Sequence, residues 1–213
     1  MDAPGRPGIS PTWTSSDKDG VSTALGTSRI WITLGNGILN EVYWPRVDNP
    51  QIRDLGFIVA DGQGFWTEVK SAGTYQLFTP APGVPAYTAI HRHERYTLTI
   101  DFCPDSSTDV VLVRCTLDAP EHFKLYPLLA PHLGNTGQHN TTWVEQHQHG
   151  LILMAQHEAD CLSLCAYDTH LRQAFAGQHR VHRRVRRLAG LLGERPDDLD
   201  LYPDRRRKRR AHV

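Results

Sequence analysis

The chain has 213 residues, of which 39% are hydrophobic, and its formal net charge at pH 7 is zero. This length is enough to bury one sizeable core, and no run approaches the roughly 20 apolar residues of a membrane-spanning helix, so we expect no membrane partner. The N-terminus lacks the basic start and apolar run of a secretory signal, which predicts a cytoplasmic protein, or a secreted one if translation begins further upstream.

The zero net charge conceals two segments of opposite charge. Residues 171–213 contain 12 Arg and one Lys against five acidic residues, so residues 1–170 carry a net charge of −8. An acidic body argues against nucleic acid as a partner, because phosphate binding needs a basic surface. We predict one domain over residues 1–170, followed by a basic tail over residues 171–213 that is not a domain.

The first clear structural signal is a β-hairpin. Apolar and polar residues alternate along Ser28–Leu34, which is the period of a half-buried strand. Asn36 and Gly37 follow, and this dipeptide accepts positive φ at both central positions of a tight turn. Asn40–Trp44 then supplies the returning strand, and Pro45 ends the pairing because it has no backbone N–H to donate.

Short strand-like segments separated by Gly, Pro, Asn and Asp continue along the chain. One face of the predicted strands is apolar and the other is polar or mixed, which is typical of an antiparallel sandwich. No 12-residue stretch before Tyr167 has a helical stripe, so alternating strands and helices are not expected. We predict an all-β antiparallel sandwich. The further predicted strands are Gly56–Ala60, Phe65–Val69, Tyr75–Phe78, Tyr96–Phe102, Val110–Leu117, Lys124–Leu129, Leu151–Ala155 and Cys161–Ala166.

The basic tail has two interpretations. Its apolar residues fall at helical spacing among arginines, so a short amphipathic helix could bind nucleic acid or an acidic membrane; otherwise the tail is irregular. Alternatively, the codons of residues 178–202, read one base later, permit the unbroken string STGFIGVSDGWQDFSANGRMTWTY, which has the composition of a globular protein. We favour the hypothesis that the reading frame changes between Ala166 and Gly177. The helically spaced residues are Val181, Val185, Leu188 and Leu192.

Several ordered sequence blocks carry a family resemblance. They are Trp13–Ser16 with Lys18–Val21, Ser28–Trp31, the block GNGILNEVYWPRVD over Gly35–Asp48, Arg53–Gly56, and HLGNTGQHNTTWV over His132–Val144. Together these blocks resemble the N-terminal domain of bacterial glucoamylases and glucodextranases of glycoside hydrolase family 15. The resemblance implies an antiparallel super-sandwich similar to the galactose mutarotase-like fold, placed before an (α/α)6 barrel that carries the chemistry.

The resemblance also implies what this chain does. In that family both catalytic carboxylates are glutamates of the barrel, and inverting hydrolysis needs the pair. None of the 213 residues matches them, so we expect no catalytic residue and no cofactor. The expected role is that of a non-catalytic, truncated N-terminal fragment of an α-glucan hydrolase that binds carbohydrate or packs on the (α/α)6 domain.

The candidate functional residues lie in one loop. Tyr43 and Trp44 could stack on the apolar face of a pyranose, while Arg46 and Asp48 hydrogen-bond its hydroxyls and Pro45 holds the loop. The other interpretation is that the two aromatic side chains pack in the core or against the barrel. We therefore predict a surface that faces either carbohydrate or the catalytic domain.

Two other kinds of site were considered. His91 with His93, and His147 with His149, are spaced to share a strand face, but two ligands are too few for a metal site, so we expect solvated histidines and no metal. An aldose epimerase-like enzyme would need a His acid and a Glu base. The conceivable residues are Glu41, Glu145 and His132, which the sequence does not bring together.

The remaining sequence features have ordinary interpretations. The four cysteines show no Cys-x-x-Cys spacing and lie in or beside strand-like segments, so we expect buried, reduced thiols. The segment Asn140–Thr142 fits a glycosylation sequon, but without a signal peptide we expect no modification there.

Overall fold

The computed structural model describes residues 17–137, 139–148, 150–166, 171, 174 and 176. Within these residues the secondary structure is thirteen β-strands and two short 3-10 turns, Val69–Ser71 and Leu133–Asn135, with no α-helix. The strands are β1 (Gly20–Thr23), β2 (Trp31–Gly35), β3 (Ile38–Tyr43), β4 (Pro50–Ala60), β5 (Trp66–Glu68), β6 (Thr74–Phe78), β7 (Tyr87–His93), β8 (Tyr96–Pro104), β9 (Val111–Asp118), β10 (Lys124–Pro131), β11 (Thr141–His147), β12 (Gly150–His157) and β13 (Asp160–Cys165).

The strands form three antiparallel sheets. The six-stranded sheet has the order β1-β2-β3-β4-β10, with β5 also paired to β4, and the four-stranded sheet has the order β6-β7-β8-β9. The three-stranded sheet has the order β11-β12-β13. All paired strands run antiparallel, which confirms the predicted all-β antiparallel architecture.

The main core draws its buried side chains from the six-stranded and four-stranded sheets. Along β8, buried and half-buried residues alternate strictly, as expected for a strand with one face on the core. Ile32 and Leu34 of the six-stranded sheet join Leu98 and Phe102 of β8 in one cluster, and all four are 0% exposed. The predicted apolar face of β9 packs on the same cluster through Val111, Val113, Cys115 and Leu117.

The predicted hairpin turn is confirmed. Asn36 and Gly37 have φ values of 55° and 66°, and Gly35 pairs with Ile38 on either side of them. A two-residue turn with two positive φ values matches the twist of the flanking strands, which explains why Asn-Gly occupies it. The Gly37 carbonyl oxygen lies 2.8 Å from Nε2 of His91 in β7, so the turn is tied to the other sheet.

Three strands were not predicted. β1, β7 and β11 lack the apolar alternation that marks a strand in the sequence, because their inward positions hold small or polar residues such as Gly20 and Ser22 in β1 and His91 in β7. β4 is also longer than predicted. It begins at Pro50, and its first half places Gln51 and Asp54 in buried positions that read as loop in the sequence.

Two expectations about burial were wrong. Cys161 and Cys165 are exposed, because Leu162 and Leu164 take the core-facing positions of β13 and the cysteines alternate with them. Cys103 and Cys115 are half-buried. His91 is buried rather than solvated, because the β7 register places it inside the sandwich.

The predicted tail lies almost wholly outside the described residues. The expected short helix, the predicted domain boundary at residue 170 and the hypothesis of a changed reading frame all concern this part of the chain. No helix among the described residues is long or apolar enough to cross a membrane.

Candidate functional site

Three loops meet at one end of the sandwich. They are residues 24–30, residues 44–49 and residues 105–110, which we call the three-loop end. The Ser28 backbone N–H donates to the Ser106 carbonyl oxygen at 3.2 Å, and the Thr27 hydroxyl donates to the Ser107 carbonyl oxygen at 3.2 Å. These bonds join the first and third loops, which are some 80 residues apart in sequence.

Asp109 joins all three loops. Its carboxylate accepts hydrogen bonds from the Arg29 backbone N–H at 2.8 Å, the Arg29 guanidinium at 3.2 Å and the Ser28 hydroxyl at 3.3 Å. It also accepts from the indole N–H of Trp44 at 2.5 Å. The backbone N–H of Arg29, and next the indole of Trp44, hold the pKa of Asp109 below its ordinary value, because these donors favour the ionised carboxylate.

Trp44 is fixed by its surroundings on several sides. The ring is half-buried and packs against the main core, and the Arg29 guanidinium lies 4.9 Å from the ring centroid. The Trp44 carbonyl oxygen accepts from the Gln51 side chain at 2.7 Å. Trp44 therefore packs against the main core and has a cation over its ring, as in cation–π pairs.

Tyr43 immediately precedes Trp44 but still belongs to the six-stranded sheet. It ends β3 directly opposite Trp31 of β2, so the two aromatic side chains share a face. Trp31 is 39% exposed and Tyr43 is half-buried. Partial burial, and next the nearby Glu41 carboxylate, raise the pKa of the Tyr43 hydroxyl. The pair offers an aromatic surface open to solvent.

Arg46 and Asp48 form an exposed ion pair in the second loop. The Arg46 Nε and Nη2 atoms donate to the two carboxylate oxygens of Asp48 at 3.0 and 2.9 Å, the bidentate geometry that guanidinium and carboxylate groups favour. The Arg46 hydrogen bond holds the pKa of Asp48 below its ordinary value. Both side chains remain mostly exposed to solvent.

The structure thus places all four predicted site residues at or beside the second loop, but in two settings. Trp44 is held inward by Asp109 and Arg29, whereas Tyr43, Arg46 and Asp48 remain accessible to different degrees. Sequence reasoning missed Asp109, Arg29 and Trp31. Asp109 stands in a loop segment that reads only as a turn, and its three-loop contacts join residues 65 to 81 positions apart, which no local pattern reveals.

The residues considered for epimerase chemistry have separate surroundings. Glu41 is buried in the six-stranded sheet, where it accepts from the Lys18 ammonium at 2.7 Å and from the Thr33 hydroxyl. Glu145 is exposed in the three-stranded sheet and accepts from the Trp143 indole at 3.4 Å. His132 follows β10, and burial together with the charge of Arg53 lowers its pKa. The two carboxylates therefore belong to different sheets.

The histidine pair in β7 has structural contacts. His91 and His93 share a strand face, as predicted, but His91 bonds to the Gly37 carbonyl and His93 stacks on Tyr96 with ring centroids 4.9 Å apart. His149, the second member of the other pair, lies outside the described residues. Within the described part of the chain, no group of three or more His, Cys, Asp or Glu side chains could hold a metal ion.

The sequon asparagine is used inside the fold. The Asn140 side-chain oxygen accepts from the Leu133 backbone N–H at 2.9 Å, and its amide nitrogen donates to the Thr136 carbonyl oxygen at 2.8 Å. A glycan on this nitrogen would have to fit beside that contact.

Comparisons with known proteins agree with this architecture. The sequence profile of the family described as "Glucodextranase, domain N" matches residues 3–189. A glucoamylase from Clostridium sp. (strain G0005) is 31% identical over 159 residues, which is 71% of this chain and 23% of that protein.

A solved structure shows the same fold. The crystal structure of a bacterial glucoamylase complexed with acarbose superposes with a TM-score of 0.70 at 29% identity, over 74% of this chain and 24% of that chain. The chain therefore spans about a quarter of the length of both relatives.

Proposed function

The chain belongs to the glucodextranase domain N family, and on that premise we propose that it is the non-catalytic N-terminal module of a glucoamylase-like α-glucan hydrolase. Its three-loop end, in this proposal, binds α-linked glucose units. The observation that carries the proposal is the exposed, bidentate Arg46–Asp48 pair three residues beyond the open Tyr43–Trp31 aromatic surface.

The chemistry of this surface suits a sugar. Aromatic rings stack on the apolar C–H face of a pyranose, and an arginine and a carboxylate supply donors and acceptors for its hydroxyls. The loop needs little ordering on binding, because Asp109 and the Gln51 side chain already fix Trp44 at its base. Such preorganisation lowers the entropic cost of association.

The two glutamates considered for sugar chemistry do not form a catalytic pair. Glu41 is engaged by Lys18 and Thr33 within the six-stranded sheet, and Glu145 lies on the exposed face of another sheet. Hydrolysis of a glycosidic bond with inversion needs two carboxyl groups facing each other across the scissile bond.

The test is a titration of the chain with maltotetraose, followed by heat release and by tryptophan fluorescence. We expect saturable binding that weakens at least fivefold in Arg46→Ala and in Tyr43→Ala. Arg114→Ala is the matched control, because Arg114 is as exposed as Arg46 and also forms an ion pair, with Asp101 in the four-stranded sheet. Parallel titration with isomaltotriose reports the linkage preference. No saturable signal with either sugar would refute carbohydrate binding.

A second function is supported by the apolar residues of the same loops. Leu25, Val47 and Val110, one from each loop, are 71%, 59% and 45% exposed. An exposed apolar group of this kind is typical of a surface that packs on another protein, and here the partner would be the catalytic domain of the hydrolase. Replacing Leu25 and Val110 by Ser, which leaves the Arg46–Asp48 loop unchanged, should abolish association with a separately added (α/α)6 domain of a glucoamylase while maltotetraose binding is retained.

A further inference from the structure

The outer edge of the three-stranded sheet carries two free thiols. β13 is the terminal strand of this sheet, and across the described residues it pairs with β12 alone. Leu162 and Leu164 of β13 pack against the main core, whereas Cys161 and Cys165 are exposed and free. An edge strand presents N–H and C=O groups that can pair with another strand.

The two thiols are too far apart to bond to each other. Four residues of extended chain separate their Cα atoms by about 13 Å, whereas a disulfide needs Cα atoms about 4.4–6.8 Å apart. They are, however, placed symmetrically about Ser163, and all three side chains point to the same exposed face. Exposed and half-buried positions alternate in this order along β13 because Leu162 and Leu164, on the opposite face, pack against the main core.

We propose that β13 is a docking edge for a second copy of this chain, with two β13 strands antiparallel about Ser163 and two disulfides able to lock the pair. This register places Cys161 of one protomer directly opposite Cys165 of the other, and the two-fold axis generates the second pair. Directly opposite residues of antiparallel strands have Cα atoms about 4.5–5.5 Å apart, which is within the range for a disulfide.

The oxidant in this proposal is a small-molecule disulfide such as oxidised glutathione. The Cys161 thiolate attacks it, which forms a protein–glutathione disulfide and releases one glutathione thiolate. The Cys165 thiolate of the other protomer then attacks the Cys161 sulfur and releases the second glutathione. Each crosslink transfers two electrons and loses two thiol protons. Burial, and next the charge of Asp101, raise the pKa of the Cys115 thiol to about 12, so Cys115 stays protonated and does not compete.

The test is incubation of the full chain with oxidised glutathione, followed by non-reducing electrophoresis, with size-exclusion chromatography of the reduced protein. We expect a disulfide-linked dimer in the natural sequence. Cys161→Ser alone and Cys165→Ser alone should each reduce the crosslinked fraction at least tenfold, because the remaining thiols of the two protomers would lie about 13 Å apart in this register.

Mixing the two single variants should restore the crosslink, because Cys165 of one then meets Cys161 of the other. Ser163→Lys should prevent pairing by placing like charges at the two-fold axis, whereas Ser163→Thr should crosslink as the natural sequence does. The proposal is overturned if the natural sequence forms no crosslink, if either single variant crosslinks fully by itself, if the mixture does not recover, or if Ser163→Lys has no effect.

Discussion

The interior between the two larger sheets and the three-stranded sheet differ in how completely they bury their apolar side chains. Leu98, Ile100 and Phe102 in β8 are all 0% exposed, whereas in β12 the apolar residues are half-buried except for Ala155. Free energy from apolar burial scales with the area removed from water. The stability of this domain is therefore concentrated between the larger sheets.

Removing one large side chain from each region should show the largest contrast. Phe102→Ala creates a cavity in the main core and should lower the free energy of unfolding by about 3–5 kcal/mol. Leu162→Ala removes a half-buried side chain of β13 and should cost about 1–2 kcal/mol. Urea unfolding followed by tryptophan fluorescence measures both. Equal losses would mean that the three-stranded sheet is as much a part of the core as β8.

The glycine turns offer a second, smaller contrast. A Cβ on Gly37 would lie 2.6 Å from Cε1 of His91, whereas a Cβ on Gly62 would meet nothing within 4 Å. Both residues have positive φ, 66° and 71°, so Ala at either costs about 1–2 kcal/mol in backbone conformation.

Gly37→Ala should cost a further 1–3 kcal/mol or so, because the new methyl group overpacks the contact between the sheets. Thermal unfolding of Gly37→Ala and Gly62→Ala side by side tests this difference. The close approach of the turn to His91 would be contradicted if both variants melted at the same temperature.

The sequence predicted those structural elements that are specified by residues close together in the chain. The apolar alternation along Tyr96–Phe102 and the Asn36–Gly37 turn each specify their own conformation, and both are confirmed. The family resemblance, which rests on ordered blocks of sequence, is confirmed by the match to residues 3–189.

The sequence did not predict features that depend on contacts between distant segments. β7 places the polar His91 in the core, where, among the described residues, only one of its ring nitrogens, Nε2, meets a partner, the Gly37 carbonyl 54 residues earlier. The orientation of Trp44 in the candidate loop depends on Asp109, 65 residues later. Whether the loop binds a sugar or a catalytic domain stays a prediction, because both partners use aromatic, charged and apolar side chains.

The last contrast concerns how the free energy of unfolding depends on pH. Burial is the main cause that lowers the pKa of His91, and the hydrogen bond to the Gly37 carbonyl only partly opposes it. Unfolded, a histidine has a pKa of about 6.5. Below that pH the unfolded chain binds a proton that folded His91 does not, so the free energy of unfolding should fall as pH decreases from about 6.5 towards the lower folded pKa. Burial also lowers the pKa of His132, which adds to the fall with the same sign.

His91→Gln should reduce the steepness of this fall, because Gln cannot be protonated but can still donate to the Gly37 carbonyl. His147→Gln, at an exposed position of β11, is the matched control for the substitution itself. Urea unfolding at intervals between pH 7.5 and 5 measures the three slopes, above the range in which most carboxylates titrate. If His91→Gln and the natural sequence had the same slope, the loss of unfolding free energy at lower pH would come from other groups. The protonation of His91, beside the hairpin turn, would then not destabilise the core.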